Sequence, residues 1–162
     1  SDEGTTALVL SGGLVSKTPF YLLRGGRPLR AMIEVEKSRL QKVALAVLGP
    51  LRVRPYPFSE MFFLDQARRV REAVTMPLAL LGGVGSRDNL ERAVREGFDL
   101  VAMGRALIAD PDLVAAIREG RRDATRCNHC NLCMTEMDRN GVRCVLGRPS
   151  ADSDDGSRGA SS

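Results

Sequence analysis

Four cysteines crowd the C-terminal part of the chain: Cys127, Cys130, Cys133 and Cys144, within RCNHCNLCMTEMDRNGVRC. The first three are separated by two-residue gaps, and the fourth follows a glycine-containing loop. Short loops let successive sulfurs converge on one centre, so the set suits an iron–sulfur cluster or structural zinc. The paired knuckles of a zinc ribbon are missing, which tilts a metal centre toward iron–sulfur; four reduced, unliganded thiols are the alternative. His129, the sole histidine, lies between Cys127 and Cys130 and reads as a bystander or a substitute ligand.

A second constellation lies in PLALLGGVGSRDNLERAVREGFDLVAMGRALIADPDL, residues 77–113, where glycine twice follows a short apolar run. Unpaired amides at such turns can hold a phosphate, because glycine lets the backbone approach and the following helix start favours negative charge. Gly82, Gly83, Gly104 and Arg105 occupy those positions. Lys17 is a further cation, more simply read as a solvated loop lysine, and Phe20 and Tyr21 read as packing residues.

These residues need strands that end side by side. Leu78 to Leu81 predicts a buried strand, Ser86 a helix N-cap, Leu90, Ala93 and Val94 one buried helix face, and Gly97 the stop. Asp99 to Met103 predicts the next strand and Ala106 to Ala109 a short helical turn. Asp110 then caps a further helix with Pro111 in its first turn and Gly120 beyond its end. Upstream, Ala7 to Leu10 is a strand signal, and residues 14–30 read as a loop containing Gly25-Gly26. Ser38 to Leu48 predicts an amphipathic helix with Leu40, Val43, Ala44 and Val47 on one face, ended by Gly49-Pro50. Leu51 to Pro57 reads as extended. Ser59 to Val74 predicts a helix with Phe63, Ala67, Val70 and Val74 buried and Arg68, Arg69, Arg71 and Glu72 in solvent. Strands alternating with helices predict a parallel sheet.

With 162 residues and 43% hydrophobic content, the chain can hold one core. A whole (β/α)8 barrel takes roughly 250 residues. The formal charge of +4 is spread over helices that also carry acids, and no basic stripe is interleaved with aromatics, which argues against nucleic acid. No segment reads as a signal peptide or membrane span, so the expected compartment is the cytosol, where thiols favour metal or redox chemistry over disulfides. The expected organisation is a partial barrel over 1–122, a cysteine-rich extension over 123–146 and a disordered tail over 147–162.

The strings LVLSGG, SKTPFYLLRGG, LLGGV, DLVAMGRALIADPDL and RCNHCNLC, with a later cysteine, resemble the C-terminal half of the NADH:flavin oxidoreductase family, the old yellow enzyme and 2,4-dienoyl-CoA reductase group. The resemblance covers residues 5–146, and AMGRALIADPDL is its most specific part. It implies an α/β fold, strands six to eight of a (β/α)8 TIM barrel, with FMN at the strands' carboxyl ends. It also implies hydride transfer from NADH or NADPH through the flavin to an activated carbon–carbon double bond in a small molecule. By similarity Gly82, Gly83, Gly104 and Arg105 would bind the FMN phosphate, and the cysteines would match a branch with a [4Fe–4S] cluster. That branch usually has a longer gap between its second and third cysteines than separates Cys130 from Cys133. The family's substrate-binding and proton-donating residues fall outside the matched half, so no catalytic residue is nominated. The implied protein is inactive alone and pairs with a complementary N-terminal half or with itself. On the residues alone, a non-catalytic phosphate-binding half barrel and a zinc-stabilised interaction module remain open.

Overall fold

The computed structural model describes residues 4, 6–11, 19–139 and 141–147. Its elements are β1 (Leu8–Val9), α1 (Pro19–Leu22), α2 (Leu29–Val35), α3 (Arg39–Arg52), α4 (Leu64–Ala73), β2 (Leu78–Leu81), α5 (Arg87–Arg95), β3 (Leu100–Ala102), α6 (Arg105–Ala109), α7 (Leu113–Arg118) and α8 (Leu132–Glu136). Gly12-Gly13, Lys17 and the segment 148–162 lie outside the described residues.

Three parallel strands form one sheet in the order β1-β2-β3. The middle strand pairs on both edges, Leu8 opposite Leu78 and Leu80 opposite Val101. Helices cover it too, so Leu78 and Leu80 are fully buried and pack with Met61, Leu64, Ala67, Val84, Ala93 and Phe98. Burying such a leucine is worth about 1.5–3 kcal/mol. An α/β unit with a small parallel sheet is consistent with part of a TIM barrel.

Local signals placed several boundaries. The Ser86 hydroxyl accepts the Asn89 amide at 3.3 Å and starts α5. Gly97, at φ +82°, ends that turn and lets the Phe98 amide reach the Ala93 carbonyl. Val94, expected on the buried face, is 70% exposed, because Ala93 and the partly buried Leu90 make the contact instead.

Other expectations are corrected by packing. Helix α3 does not stop at Gly49-Pro50 but continues to Arg52, with the Val53 amide bonded to the Gly49 carbonyl. Gly49 is buried against Leu29 of α2, which holds this turn despite the proline. The α3 face expected to be buried is turned outward: Leu40, Val43, Ala44 and Val47 are all exposed. Residues 19–35, within and beyond the expected loop, contain α1 and α2; such short helices depend on tertiary packing, here including buried Phe20. Helix α4 begins at Leu64 rather than Ser59, because residues 60–63 form a turn whose Met61 amide donates to the Gly83 carbonyl. Arg68 and Arg71 are not free in solvent. Arg68 donates to Glu96 at 2.7 Å and Arg71 to Asp99 at 3.2 Å, tying α4 to the end of α5 and the start of β3.

Asp110 does not cap α7 with its side chain. That helix starts at Leu113, and the Leu113 amide bonds to the Asp110 carbonyl. The carboxylate, 2% exposed, accepts the Thr125 hydroxyl at 2.7 Å, the Arg126 amide at 2.8 Å and the Arg122 guanidinium. It thereby holds the chain that leads to the cysteines. Burial opposes its ionisation, but these donors outweigh it and keep the carboxyl below its ordinary range. Its folded pKa lies below the unfolded one, so the stabilisation is present above the usual carboxylate range and is lost as pH falls through the folded value. Asp110→Asn should lower stability by about 1–3 kcal/mol at neutral pH, and the difference from the unmodified chain should shrink in acid titrations below about pH 4.

Candidate functional site

Because β2 and β3 are hydrogen-bonded neighbours in parallel, the turns after them lie side by side. Gly82 and Gly83 have φ of +109° and +77°, a region that favours glycine. A Cβ on Gly82 would stand 2.7 Å from the Phe63 ring, and one on Gly83 2.7 Å from the Ser59 carbonyl oxygen. Glycine is therefore required here by backbone and packing together. Gly104 differs: its φ is −98°, and nothing stands within 4 Å of a Cβ position. Among the described residues the Gly83 and Gly104 amides donate to no backbone acceptor. Gly82, Gly83, Gly104 and Arg105 line a single cavity, so the structure brings together all four residues expected at the phosphate. Open space over Gly104 and amides without backbone acceptors fit a phosphate group.

The Arg105 side chain has a second engagement. Half-buried, it donates to the Arg24 carbonyl at 2.8 Å and to the Asn131 side-chain oxygen. Burial lowers its pKa, while the neighbouring thiols of Cys127, Cys133 and Cys130 act in the opposite sense. Arg105 also lines a small second cavity together with Cys127, Cys130, Cys133, Cys144 and Asn131. All four cysteines line this cavity, and all four are free thiols. Among the described residues, however, no group of three or more histidine, cysteine or acidic side chains is arranged to hold a metal ion. Burial pushes the Cys127 and Cys133 thiols up, with Arg105 pulling them back.

Asn131 and the Gly25-Gly26 pair were not anticipated as parts of the site. Asn131, at φ +63° and 1% exposed, donates to the Leu23 carbonyl at 2.5 Å and the Gly26 carbonyl at 2.9 Å while accepting from Arg105. The Gly26 amide bonds to the His129 carbonyl at 2.8 Å. A Cβ on Gly25 would run into that carbonyl, and one on Gly26 would come within 2.8 Å of the Cys130 carbonyl oxygen. The glycine pair in the presumed loop was the available signal, but its partner lies about a hundred residues away. His129 is half-buried rather than exposed. Its ring stacks on Phe58 with centroids 3.4 Å apart and planes 13° from parallel, and burial, followed by the charge of Arg105, lowers its pKa.

Residues 29–124 match the model of the NADH:flavin oxidoreductase / NADH oxidase family. The chain belongs to this family. The chain is 40% identical over 146 residues to the 4,4'-dithiodibutanoate disulfide reductase of Rhodococcus erythropolis, an overlap of 90% of the chain and 36% of that protein. It is 32% identical over 81 residues to a bilirubin reductase of Mediterraneibacter gnavus, covering 49% and 12% of the two, and 28% identical over 114 residues to an NADH oxidase of Thermoanaerobacter brockii, covering 68% and 18%. The chain therefore spans about a third or less of the length of these relatives. No solved structure matches it. No helix among the described residues is long and apolar enough to cross a membrane.

In this chain, Gly82→Ala should cost about 1–3 kcal/mol, read from chemical denaturation, because positive φ and the Phe63 contact are both violated. Gly25→Ala should leave the β2 core folded but displace the 127–133 segment, seen as faster alkylation of its cysteines by iodoacetamide.

Proposed function

We propose that this chain supplies the phosphate-binding side of an FMN site in a NAD(P)H-dependent flavin oxidoreductase. The observation that supports it best is the opening of the Gly82-Gly83 turn and Gly104 into one cavity at the carboxyl ends of adjacent parallel strands. In this reading Gly82 and Gly83 set the backbone course, Gly83 and Gly104 offer amides, and Arg105 contributes positive charge beside the anion. When bound, the flavin would supply hydride transfer between a reduced nicotinamide and an acceptor. In this reading the chain's own residues bind and orient, and a complementary segment supplies the proton donor and the remaining barrel strands. The proposed setting is the cytosol.

For the acceptor, the resemblance favours a small molecule with an activated carbon–carbon double bond. A disulfide is the second candidate, supported by the Rhodococcus relative's name and its overlap with 90% of this chain. The four cysteines are carried as a thiol cluster, and no chemical step is routed through a metal. Iron and zinc analysis of anaerobically prepared protein decides their loading, and stoichiometric iron would favour Cys127, Cys130, Cys133 and Cys144 as its ligands.

Gly104→Asp is the direct test of the phosphate reading. A Cβ at this position meets no neighbour within 4 Å, so the fold should persist while a carboxylate faces the phosphate. FMN affinity, followed by flavin fluorescence, should fall at least about tenfold from like-charge juxtaposition. Unchanged affinity in the folded variant would overturn the site. The unmodified chain should bind FMN yet fail to oxidise NADH until a complementary N-terminal segment is added.

A further inference from the structure

The cavity lined by the glycine turns is lined by apolar side chains as well. There, rings and aliphatic side chains converge: Phe58, His129, Phe62, Leu22, Leu23 and Ile108. His129 is carried into it by the cysteine-rich segment and is fixed from three sides. Its backbone is held at φ +59°, its carbonyl accepts the Gly26 amide, and its imidazole lies flat on Phe58. A flat pair of rings beside apolar side chains, in a cavity that the glycine turns also line, suits a ligand that joins a planar aromatic system to a phosphate. Phe62 is already faced by the Arg24 guanidinium, 4.5 Å from its ring centre, which leaves the His129–Phe58 pair as the stacked surface of this cavity.

We propose that His129 is a binding residue of the cavity, its imidazole contacting the planar ring system of the flavin whose phosphate lies at Gly83 and Gly104. The proposal rests on the phosphate-site reading and adds the orientation of the ligand: ring system toward the cysteine-rich segment, phosphate toward the ends of β2 and β3. That segment is then a wall of the cofactor site rather than an appendage.

His129 is the sole histidine, so its ring signals in a 15N-histidine-labelled chain report on this contact alone. Addition of FMN should shift the imidazole resonances, and inorganic phosphate at saturating concentration should not. His129→Ala should weaken FMN binding about tenfold, the scale of losing one aromatic stacking partner, with phosphate affinity unchanged. His129→Phe, which keeps a flat ring, should restore FMN affinity. Unmoved imidazole resonances with FMN bound, while Gly104→Asp abolishes that binding, would overturn this proposal and leave the phosphate site standing. An equal loss of FMN and phosphate affinity in His129→Ala would make the residue a structural prop and overturn it as well. If the unmodified chain binds neither FMN nor phosphate, the phosphate reading falls and takes this one with it.

Discussion

The two-sided pairing of β2 is the constraint on which the site depends. A short strand hydrogen-bonded in parallel on both edges, with Leu78 and Leu80 sealed from water, has no freedom to slip its register. With register set, the turn after β2 and the turn after β3 must emerge at the same level. The glycines then convert that level ground into a cavity. Gly82 and Gly83 bend the chain where a side chain would meet Phe63 or the Ser59 carbonyl, and Gly104 leaves its own position bare.

The cysteine-rich part is attached to this platform by polar contacts more than by apolar packing. Asp110 grips residues 122–126, Asn131 joins Arg105 to the Leu23–Gly26 turn, and residues 85–87 run beside 123–125 through the Thr125–Gly85 and Arg87–Asp123 backbone bonds. Polar groups as buried as Asp110 and Asn131 are costly unless fully paired, so these contacts specify one placement of the segment. Arg105 is the shared member, lining both the glycine cavity and the thiol cavity.

Much of the central architecture was legible because its signals are local. The apolar run at 78–81, the Ser86 cap, the Gly97 stop and the short helix after Gly104 each declare themselves within a few residues, and the structure places them there. The same holds for the four phosphate-site candidates, which need only strand adjacency to share a cavity. What escaped was decided at a distance. Asp110 looked like a helix cap because serine, asparagine and aspartate before a helix usually are, yet its carboxylate was claimed by Thr125 and Arg126. Pro50 looked like a terminator, but packing of Gly49 on α2 carries the helix past it. Asn131 and Gly25-Gly26 carry no meaning until each is seen against the other, and α1 and α2 are too short for periodicity to reveal.

The ties between elements have one chemical habit with a consequence for base tolerance. The pairs joining α4 to Glu96 and Asp99, and those holding the C-terminal segment at Asp110 and Glu136, are all made by arginine. A guanidinium keeps its charge to far higher pH than a lysine ammonium. Alkaline solution therefore leaves this network charged and acts instead on the thiols of Cys127 and Cys133, where each new thiolate must be accommodated beside the single guanidinium of Arg105. On the basic side, ionisation of Cys127 and Cys133 works against their burial in the sulfur-lined cavity, while the ionic frame around it keeps its charge.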